Sequence, residues 1–307
     1  DGIYNVYDGD YPMMKGDQML VWLMNDDKSS FKVGVDVIGT LYAYECDGNE
    51  NIENSVFLHF DIKNTSPNDY HDFYFGMQNY MTIGCFLDDL MGVNVLTNTI
   101  FAYNSSTTDD NSFNCPNRLN STEMPMQTMT VLNHDLASFI LFPTGSYLGF
   151  PPLEKYHNQL KGIWFDGIPM TYGGTGHFSS TDTTTFFCPS NPSDSTGWSM
   201  YNSLQPSLAN SVIGIGAINF GSGEKLELET VYIYHPNIPH PAPDIMQKVI
   251  PNVKNIQQFY DNNELEWTID FGQNNTIEFG KLLTLNPNTS DYFVYEWSTD
   301  ETTPSIN

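Results

Sequence analysis

The chain contains very few basic side chains. Of its 307 residues, 11 are Lys or Arg and 37 are Asp or Glu, which gives a formal net charge of -26. Binding to nucleic acid or to anionic lipid usually depends on many Lys and Arg contacts with phosphate, and an acidic surface repels both. The composition therefore argues against nucleic acid as a partner and favours divalent cations.

The sequence also lacks several common motifs. No run approaches the roughly 18 apolar residues of a membrane-spanning helix, so we expect no membrane insertion. The four cysteines are too widely spaced for a CxxC zinc or redox motif. In an exported protein we expect disulfides, and Cys85 with Cys115 would close a short connection, while free buried thiols are the alternative. The start at Asp1, without an initiator Met or a signal peptide, predicts a piece of a longer precursor or assembly subunit.

The dominant feature of the chain is a strand-like texture. Runs rich in Val, Ile, Phe, Tyr and Thr are separated about every ten residues by Asn, Asp, Gly and Pro. In the segment 55–64 the even-numbered residues from Val56 to Ile62 are apolar, which predicts that this set faces the core. Further strands are predicted at 33–46, 72–80, 99–104, 127–132 and 224–235. These strands predict an all-β fold, an antiparallel β-sandwich.

Two short accessory helices interrupt the strand pattern. One follows Pro151 and Pro152 and is ended by Gly162, and the other follows Pro251. The Pro-rich segment 235–243 is interpreted as a connector, because proline cannot donate to a central strand ladder. The predicted organisation is a β-sandwich surface domain at 1–243, a helical connector at 244–263 and a partial β domain at 264–307.

Several phrases occur between residues 1 and 262: DGDYP and GDQ near the start, GCFLDDLMGVN at 84–94, KGIWFDGIPMTYGG at 161–174, STGW at 195–198 and NIQQFYDNN at 255–263. Together they resemble a large family of secreted surface proteins from Bacteroidota that are exported by the type IX secretion system. The resemblance implies export, a β-rich architecture and an extracellular or cell-surface location. The phrase LLTLNPNTSDYFVYEWSTDETTPSI resembles the opening of an Ig-like or PKD-like module.

The N-terminal loop is the first candidate cation site. Asp1, Asn5, Asp8 and Asp10 supply oxygen ligands at short intervals around two glycines. Calcium takes six to eight oxygen ligands, and glycine allows a loop to curl around the ion. A solvated Asx-rich turn is the alternative interpretation.

Asp88 and Asp89 form a second candidate cation site. Members of the family that the chain resembles commonly carry more acidic residues in this stretch, whereas here Tyr80, Thr82 and Asn94 stand at acidic positions. Neighbouring residues of a strand point to opposite faces, so the two aspartates are not expected to act as a general acid and base.

Other candidate residues indicate binding rather than catalysis. His134 beside Asp135 is a sequence dyad, but the GxSxG nucleophile elbow is absent. Aromatic residues make up 14% of the chain, and rings can stack on the apolar faces of sugars. Trp164, Tyr172 and Trp198, all in Gly-rich phrases, are the candidate glycan-binding residues, and core packing at the ends of the sandwich is the alternative.

The combined expectation is a noncatalytic extracellular structural or adhesive protein, such as an adhesin or a fibre or surface-layer subunit. Thr183 and Ser195 lie in phrases that resemble the acidic O-glycosylation motif of Bacteroidota, so a glycoprotein is expected. The expected partners are other surface proteins, copies of itself and, during export, the secretion machinery; calcium is the expected cofactor. The alternatives are a glycan-binding module or glycan-active enzyme on the same scaffold, or a hydrolase with two loop carboxylates about 5 to 10 Å apart.

Overall fold

The structure is a computed structural model that describes residues 15–45, 48–85, 87–109, 119–141, 153–204 and 210–262. The chain divides into two compact units, Asp1–Asn262 and Asn263–Asn307. All of the described residues belong to the first unit. The predicted Ig-like or PKD-like segment at 264–307 therefore lies outside the described residues.

Ten strands in these ranges form two antiparallel sheets. In chain order they are β1 Gln18–Asn25, β2 Val35–Ala43, β3 Ser55–Asn64, β4 Tyr70–Tyr80, β5 Asp89–Asn94, β6 Thr99–Asn104, β7 Glu123–Val131, β8 Leu136–Leu141, β9 Asn210–Phe220 and β10 Lys225–Pro239. The larger sheet has the order β1-β2-β3-β10-β7-β6-β5, and the smaller sheet has the order β4-β9-β8. The prediction of an all-β antiparallel sandwich is confirmed.

The described part of the chain also contains five short helices. They are α1 Glu50–Glu53, α2 Leu153–Leu160, α3 Met200–Ser203, α4 Ile245–Lys248 and α5 Ile250–Asp261. The two predicted helices correspond to α2 and α5, and α5 carries a proline in its first turn, where the missing N–H costs no hydrogen bond. No helix among the described residues is long and apolar enough to cross a membrane.

The core lies between layers on both faces of the larger sheet. The smaller sheet covers one face, where the rings of Phe60 and Phe75 are 5.5 Å apart. On the other face α5 packs at the end of β2, since the ring of Phe259 lies 6.2 Å from that of Tyr44. The helical segment after residue 243 therefore packs against the sheet within the first unit.

Strand β3 shows the effect of this two-sided cover. Phe60 and Ile62 are buried, as the alternation predicts, but Val56 is 40% exposed and Phe57 is fully buried on the opposite face. The prediction that the even-numbered set faces the core is confirmed for Phe60 and Ile62 and wrong for Val56. Phe57 is buried as well, because rings such as Tyr44, 5.7 Å from Phe57, cover the second face.

Strand β10 continues into the segment that was predicted to be a connector. Its pairing with β3 ends at Ile233, but its pairing with β7 continues to Pro239, with an irregularity between His235 and Ile238. The prolines are tolerated because the ladder has only one partner strand there. The predicted connector at 235–243 is therefore wrong for its first five residues.

Candidate functional site

The outer side of β1 is the most exposed strand edge of the larger sheet. Among the described strands β1 pairs only with β2, without a register shift from Gln18 to Asn25. The strand reads QMLVWLMN and has no charged residue, and Leu20 and Leu23 are 61% and 76% exposed. An uncharged edge strand of this length is a template for pairing with another strand. We call this side of β1 the open edge.

Apolar surface is concentrated around the open edge. Trp22 anchors β1, because its ring lies over Gly39, where an added Cβ would come within 2.2 Å of it, and it contacts the ring of Phe60 at 6.0 Å. A groove of about 390 Å³ adjoins the end of the strand. Of fifteen exposed large hydrophobic side chains in the described ranges, six lie in β1, in β2 or in the turn between them: Leu20, Leu23, Met24, Phe31, Val33 and Ile38.

The opposite edge of the same sheet is closed by the chain itself. All but the last residue of β5 are buried. The N–H of Met91 points to the sulfur of Met200 in α3 at 3.1 Å, and the N–H of Val93 donates to the carbonyl of Cys188 at 3.4 Å. The segment that contains these two partners therefore covers the β5 edge, which we call the closed edge.

The two edges of the smaller sheet are protected in other ways. The outer side of β8 bonds to the segment 185–187, since Phe139 exchanges backbone hydrogen bonds with Thr185 and Phe187. Strand β4 shifts register twice between Tyr70 and Phe75 and carries Asp72 at this irregular end. Bulges and charges discourage strand addition. Within the described part of the molecule, only β1 is an edge strand that is regular and uncharged over its whole length and has no described segment bonded to its outer side.

The segment 164–198 gathers aromatic rings into a continuous chain. Neighbouring rings in it are 5.1, 5.0, 6.3, 6.0 and 4.6 Å apart. The two end members are exposed, at 42% and 72%. The structure thus brings the three predicted glycan-binding residues together with three others, in the order Tyr172, Trp198, Phe187, Trp164, His177 and Phe178.

The tryptophans of this aromatic chain position a loop. The indole N–H of Trp198 donates to the carbonyl of Gly174 at 3.0 Å, and that of Trp164 donates to Gly176 at 2.8 Å. Trp198 is only 2% exposed, so the predicted stacking of a sugar on its ring is corrected to a structural role. Phe178, which the sequence did not single out, is an exposed side chain at φ +53°, a left-handed conformation uncommon outside glycine.

A buried polar network lies in the larger sheet around Glu229. Its carboxylate accepts a hydrogen bond from the hydroxyl of Tyr42 at 2.5 Å, lies 2.6 Å from Nδ1 of His59 and lies 3.8 Å from Nζ of Lys15. Tyr42, Glu229 and His59 are 2%, 3% and 9% exposed. A substrate would have to displace packed neighbours to reach them. We call these four side chains the Glu229 network.

The electrostatics of the Glu229 network depend on that carboxylate. Burial alone would lower the pKa of His59, but its hydrogen bond to Glu229 and the negative charge of Glu229 outweigh burial and raise it. Burial raises the pKa of Tyr42, and the charge of Glu229 raises it further. The folded state therefore favours the protonated forms of the His59 imidazole and the Tyr42 phenol.

Asp88 and Asp89 are both buried where β5 begins. Oδ2 of Asp89 accepts a hydrogen bond from the N–H of Ile83 at 3.1 Å, and Oδ1 has no hydrogen-bond partner among the described residues. Burial raises the pKa of Asp89 to about 8, with the charges of Asp88 and Asp109 acting in the same direction. No group of three or more His, Cys, Asp or Glu in the described ranges is arranged to hold a metal. Calcium at this pair stays a prediction.

The predicted His134 and Asp135 dyad is not a contact between the two side chains. Nε2 of His134 lies 2.8 Å from the carbonyl of Glu227, and the carboxylate of Asp135 accepts a hydrogen bond from the amide of Asn98 at 3.0 Å. Each side chain therefore ties a loop to a neighbouring segment.

The remaining predicted residues are distributed over the molecule. Cys85 takes part in a disulfide, whereas Cys188 is a buried free thiol whose pKa is raised by burial. Thr183 and Ser195 are exposed, so both hydroxyls are accessible to glycosylation. The other predicted residues lie outside the described ranges: Cys115 of the predicted disulfide, and Asp1, Asn5, Asp8 and Asp10 of the predicted calcium loop.

The sequence reasoning missed both the open edge and the Glu229 network. The run from Met19 to Met24, followed by Asn25 and Asp26, is a usable strand signal, although its lack of alternation hides which side is exposed. Glu229 sits in the same alternating phrase as the exposed Glu227. Nothing in the local sequence distinguishes the two glutamates.

Comparison with known proteins adds no assignment. No family model matches the chain. No curated protein matches it significantly. The resemblance to secreted Bacteroidota proteins therefore stays a prediction, and the sites described above rest on their geometry.

Proposed function

We propose that this protein is a noncatalytic structural or adhesive protein of the cell surface and that it assembles through the open edge of β1. The proposal is carried by the contrast among the sheet edges, since β1 is regular and uncharged whereas the edges at β5, β8 and β4 are covered or irregular. Proteins block strand edges that would otherwise pair with other chains. One open edge among described strands whose other edges are covered or irregular supports an assembly role.

The proposed extracellular location rests on the resemblance to exported Bacteroidota proteins. Export by the type IX machinery, O-glycans on the exposed Thr183 and Ser195, and calcium in the N-terminal loop or at Asp88 and Asp89 belong to the same proposal. The partners of the open edge would be other surface proteins or copies of the chain.

Sedimentation velocity over a wide concentration range tests the assembly role. Leu23→Lys puts a charge on the open edge and should weaken association by about tenfold or more, because burying an unpaired ammonium costs well over 1.4 kcal/mol. Leu96→Lys is the matched control, since Leu96 is 91% exposed in a turn away from β1, and it should leave association unchanged. An equal loss in both variants would contradict the proposal, and a wild type that does not associate would exclude copies of the chain and leave other surface proteins as the partners.

Glycan binding is the second candidate function, and the exposed ends of the aromatic chain favour it. Phe178 is 72% exposed beside His177, whose Nε2 lies 2.8 Å from the carboxylate of Asp166. Such a pairing of ring and polar groups is what sugar recognition uses. Glycan-array binding should be lost in Phe178→Ala and Tyr172→Ala and kept in Leu96→Ala. Array binding that survives both aromatic changes, or no binding by the wild type, would count against this function.

A further inference from the structure

We infer that the partner of the open edge is a second copy of this chain, whose own β1 pairs antiparallel with the first. The inference rests on the proposed assembly role and adds the identity of the partner. Antiparallel pairing of two identical strands is two-fold symmetric, so each copy offers the other the same surface. Strand β1 therefore needs no second sequence to complete its ladder.

The distribution of charge determines where a like partner can approach. The chain carries a net charge of -26, so its charged surface repels another copy. Strand β1 adds nothing to that repulsion, because no residue from Gln18 to Asn25 is charged. Two copies can pair here without placing like charges opposite each other, and the residues from Met19 to Met24 supply apolar cross-strand pairs.

The same reasoning predicts the register of the pairing. Two residues that lie opposite each other in an antiparallel pair point to the same face of the sheet. A two-fold axis perpendicular to the sheet must therefore lie midway between one residue of β1 and the same residue of the second copy. An axis at Val21 or Trp22 pairs seven of the eight residues of β1 with residues of the second β1, more than an axis at any other residue. An axis at Val21 places Asp17 opposite Asn25, whereas an axis at Trp22 places Asp17 opposite Asp27. Like charges directly opposite are destabilising. We therefore assign the axis to Val21.

This pairing would stop at two copies. A symmetric contact occupies the open edge of both partners, and the closed edge at β5 is covered by the segment containing Cys188 and Met200. The product is one continuous sheet built from two seven-stranded sheets. A fibre or surface layer would then need a further contact elsewhere on the dimer.

Disulfide trapping of full-length single-cysteine variants tests the partner and the register together. With the axis at Val21, the two copies of residue 21 have Cβ atoms about 4.5–5.5 Å apart, close to the range that a disulfide spans. Val21→Cys should therefore form a reducible dimer under mild oxidation. Leu23→Cys is the matched control; it is more exposed but lies opposite Met19, so it should remain monomeric on a non-reducing gel beside the wild type.

Each result supports or overturns the inference. Trapping of Val21→Cys alone, with a mass of twice the chain, supports it; equal trapping of both variants, or a ladder of higher species, overturns it. A monomer whose β1 amides are protected from hydrogen exchange would show that another segment of the same chain covers the edge, which also overturns it. If the wild type associates and Leu23→Lys abolishes this but Val21→Cys is not trapped, the inferred pairing of β1 with β1 fails, because the open edge then meets a different surface of the second copy, and the proposed function stands.

Salt distinguishes a second copy from a basic partner. Two copies with the same large charge repel each other, and added salt screens that repulsion. Self-association should therefore tighten as salt concentration rises. Weaker association at high salt would indicate attraction between opposite charges and would overturn the inference.

Discussion

The two ends of the larger sheet consist of similarly apolar strands in opposite environments. Strand β1 reads QMLVWLMN and exposes five of its eight residues, whereas β5 reads DLMGVN and is almost wholly buried. The difference is in what the chain places alongside, since Cys188 and Met200 lie against β5 and no described strand lies on the outer side of β1. The composition of a strand therefore indicates that it can pair with another strand. Whether its outer side is free to do so depends on the segments packed beside it.

The two halves of the sheet also differ in how their interiors are stabilised. Towards the open edge, the Glu229 network links β2, β3 and β10 through charged and hydrogen-bonded side chains. Towards the closed edge, strands β5 and β6 are buried on both faces. Substitutions in the two halves should therefore differ in size and in their dependence on pH.

Glu229→Ala should have the largest effect, because it leaves His59 and Lys15 without their buried counter-charge. Removing one partner of a buried ion pair costs about 3–5 kcal/mol, and urea unfolding would measure the loss. Glu227→Ala is the matched control on the same strand; Glu227 is exposed, so its loss should stay within about 0.5 kcal/mol. Equal losses in the two variants would contradict a stabilising role for the network.

The cost of Glu229→Ala should also depend on pH through His59. The folded-state pKa of His59 is raised above its ordinary value of 6.5. The stability that it contributes is therefore fully present below about pH 6.5 and is lost as the pH rises through the raised value. The variant should lose more stability at about pH 6 than at about pH 9. A loss that does not change with pH would show that the charge of His59 is not coupled to Glu229.

A pair of methionines compares the two edges directly. Met91 in β5 is 1% exposed and Met24 in β1 is 47% exposed. Truncation of a buried methionine to alanine costs about 2–5 kcal/mol because it leaves a cavity, whereas an exposed one should cost about 0.5 kcal/mol or less. Denaturant unfolding of Met91→Ala and Met24→Ala would measure both. A large loss in Met24→Ala would show that the β1 edge is covered in solution.

Gly92 in β5 and Gly39 in β2 compare how well the two halves of the sheet tolerate an added methyl group. A Cβ at Gly92 would come within 2.4 Å of the Phe101 ring, and one at Gly39 within 2.2 Å of the Trp22 ring. Phe101 is 1% exposed and has no room to move, so Gly92→Ala should cost about 1–3 kcal/mol. Trp22 can swing towards solvent, so Gly39→Ala should cost less. Equal midpoints in thermal unfolding would contradict this difference.

Asp89→Asn should raise stability by about 1 kcal/mol at alkaline pH, because it removes a buried charge. The folded-state pKa of Asp89 is raised from 3.8 to about 8. Its contribution to stability is therefore present below about pH 4 and is lost as the pH rises through 8. Calorimetry should show a difference between variant and wild type that grows over this range and then levels off. If Asp89 binds calcium, the ion should stabilise the wild type and not the variant.

Part of the fold could be predicted because local patterns decide it. The alternation in 55–64 and the run 99–104 predicted β3 and β6 with the observed boundaries. Pro151 and Pro251 marked the beginnings of two helices. Strands β1, β5, β8 and β9 lie outside the predicted ranges; β9 contains Gly214 and Gly216, which weaken a strand signal, although neighbouring strands hold the segment in place.

The candidate sites could be predicted less well, because they depend on contacts between distant segments. The structure places the predicted residues Trp164, Tyr172 and Trp198 in one aromatic chain, but only packing decides that Trp198 is buried and Tyr172 is exposed. The pairing of His59 with Glu229 joins residues 170 positions apart. Nothing in the sequence near β1 indicates whether another segment covers its outer side.

Trp22 gives the open edge an optical signal of its own. Trp22 lies in the middle of β1, and its indole is half-buried over Gly39. The indoles of Trp164 and Trp198 instead donate hydrogen bonds to the carbonyls of Gly176 and Gly174. Strand addition would remove water from the indole of Trp22 and leave the rings of Trp164 and Trp198 unchanged. Dilution of the unlabelled protein should therefore move its fluorescence emission to longer wavelengths as the edges separate.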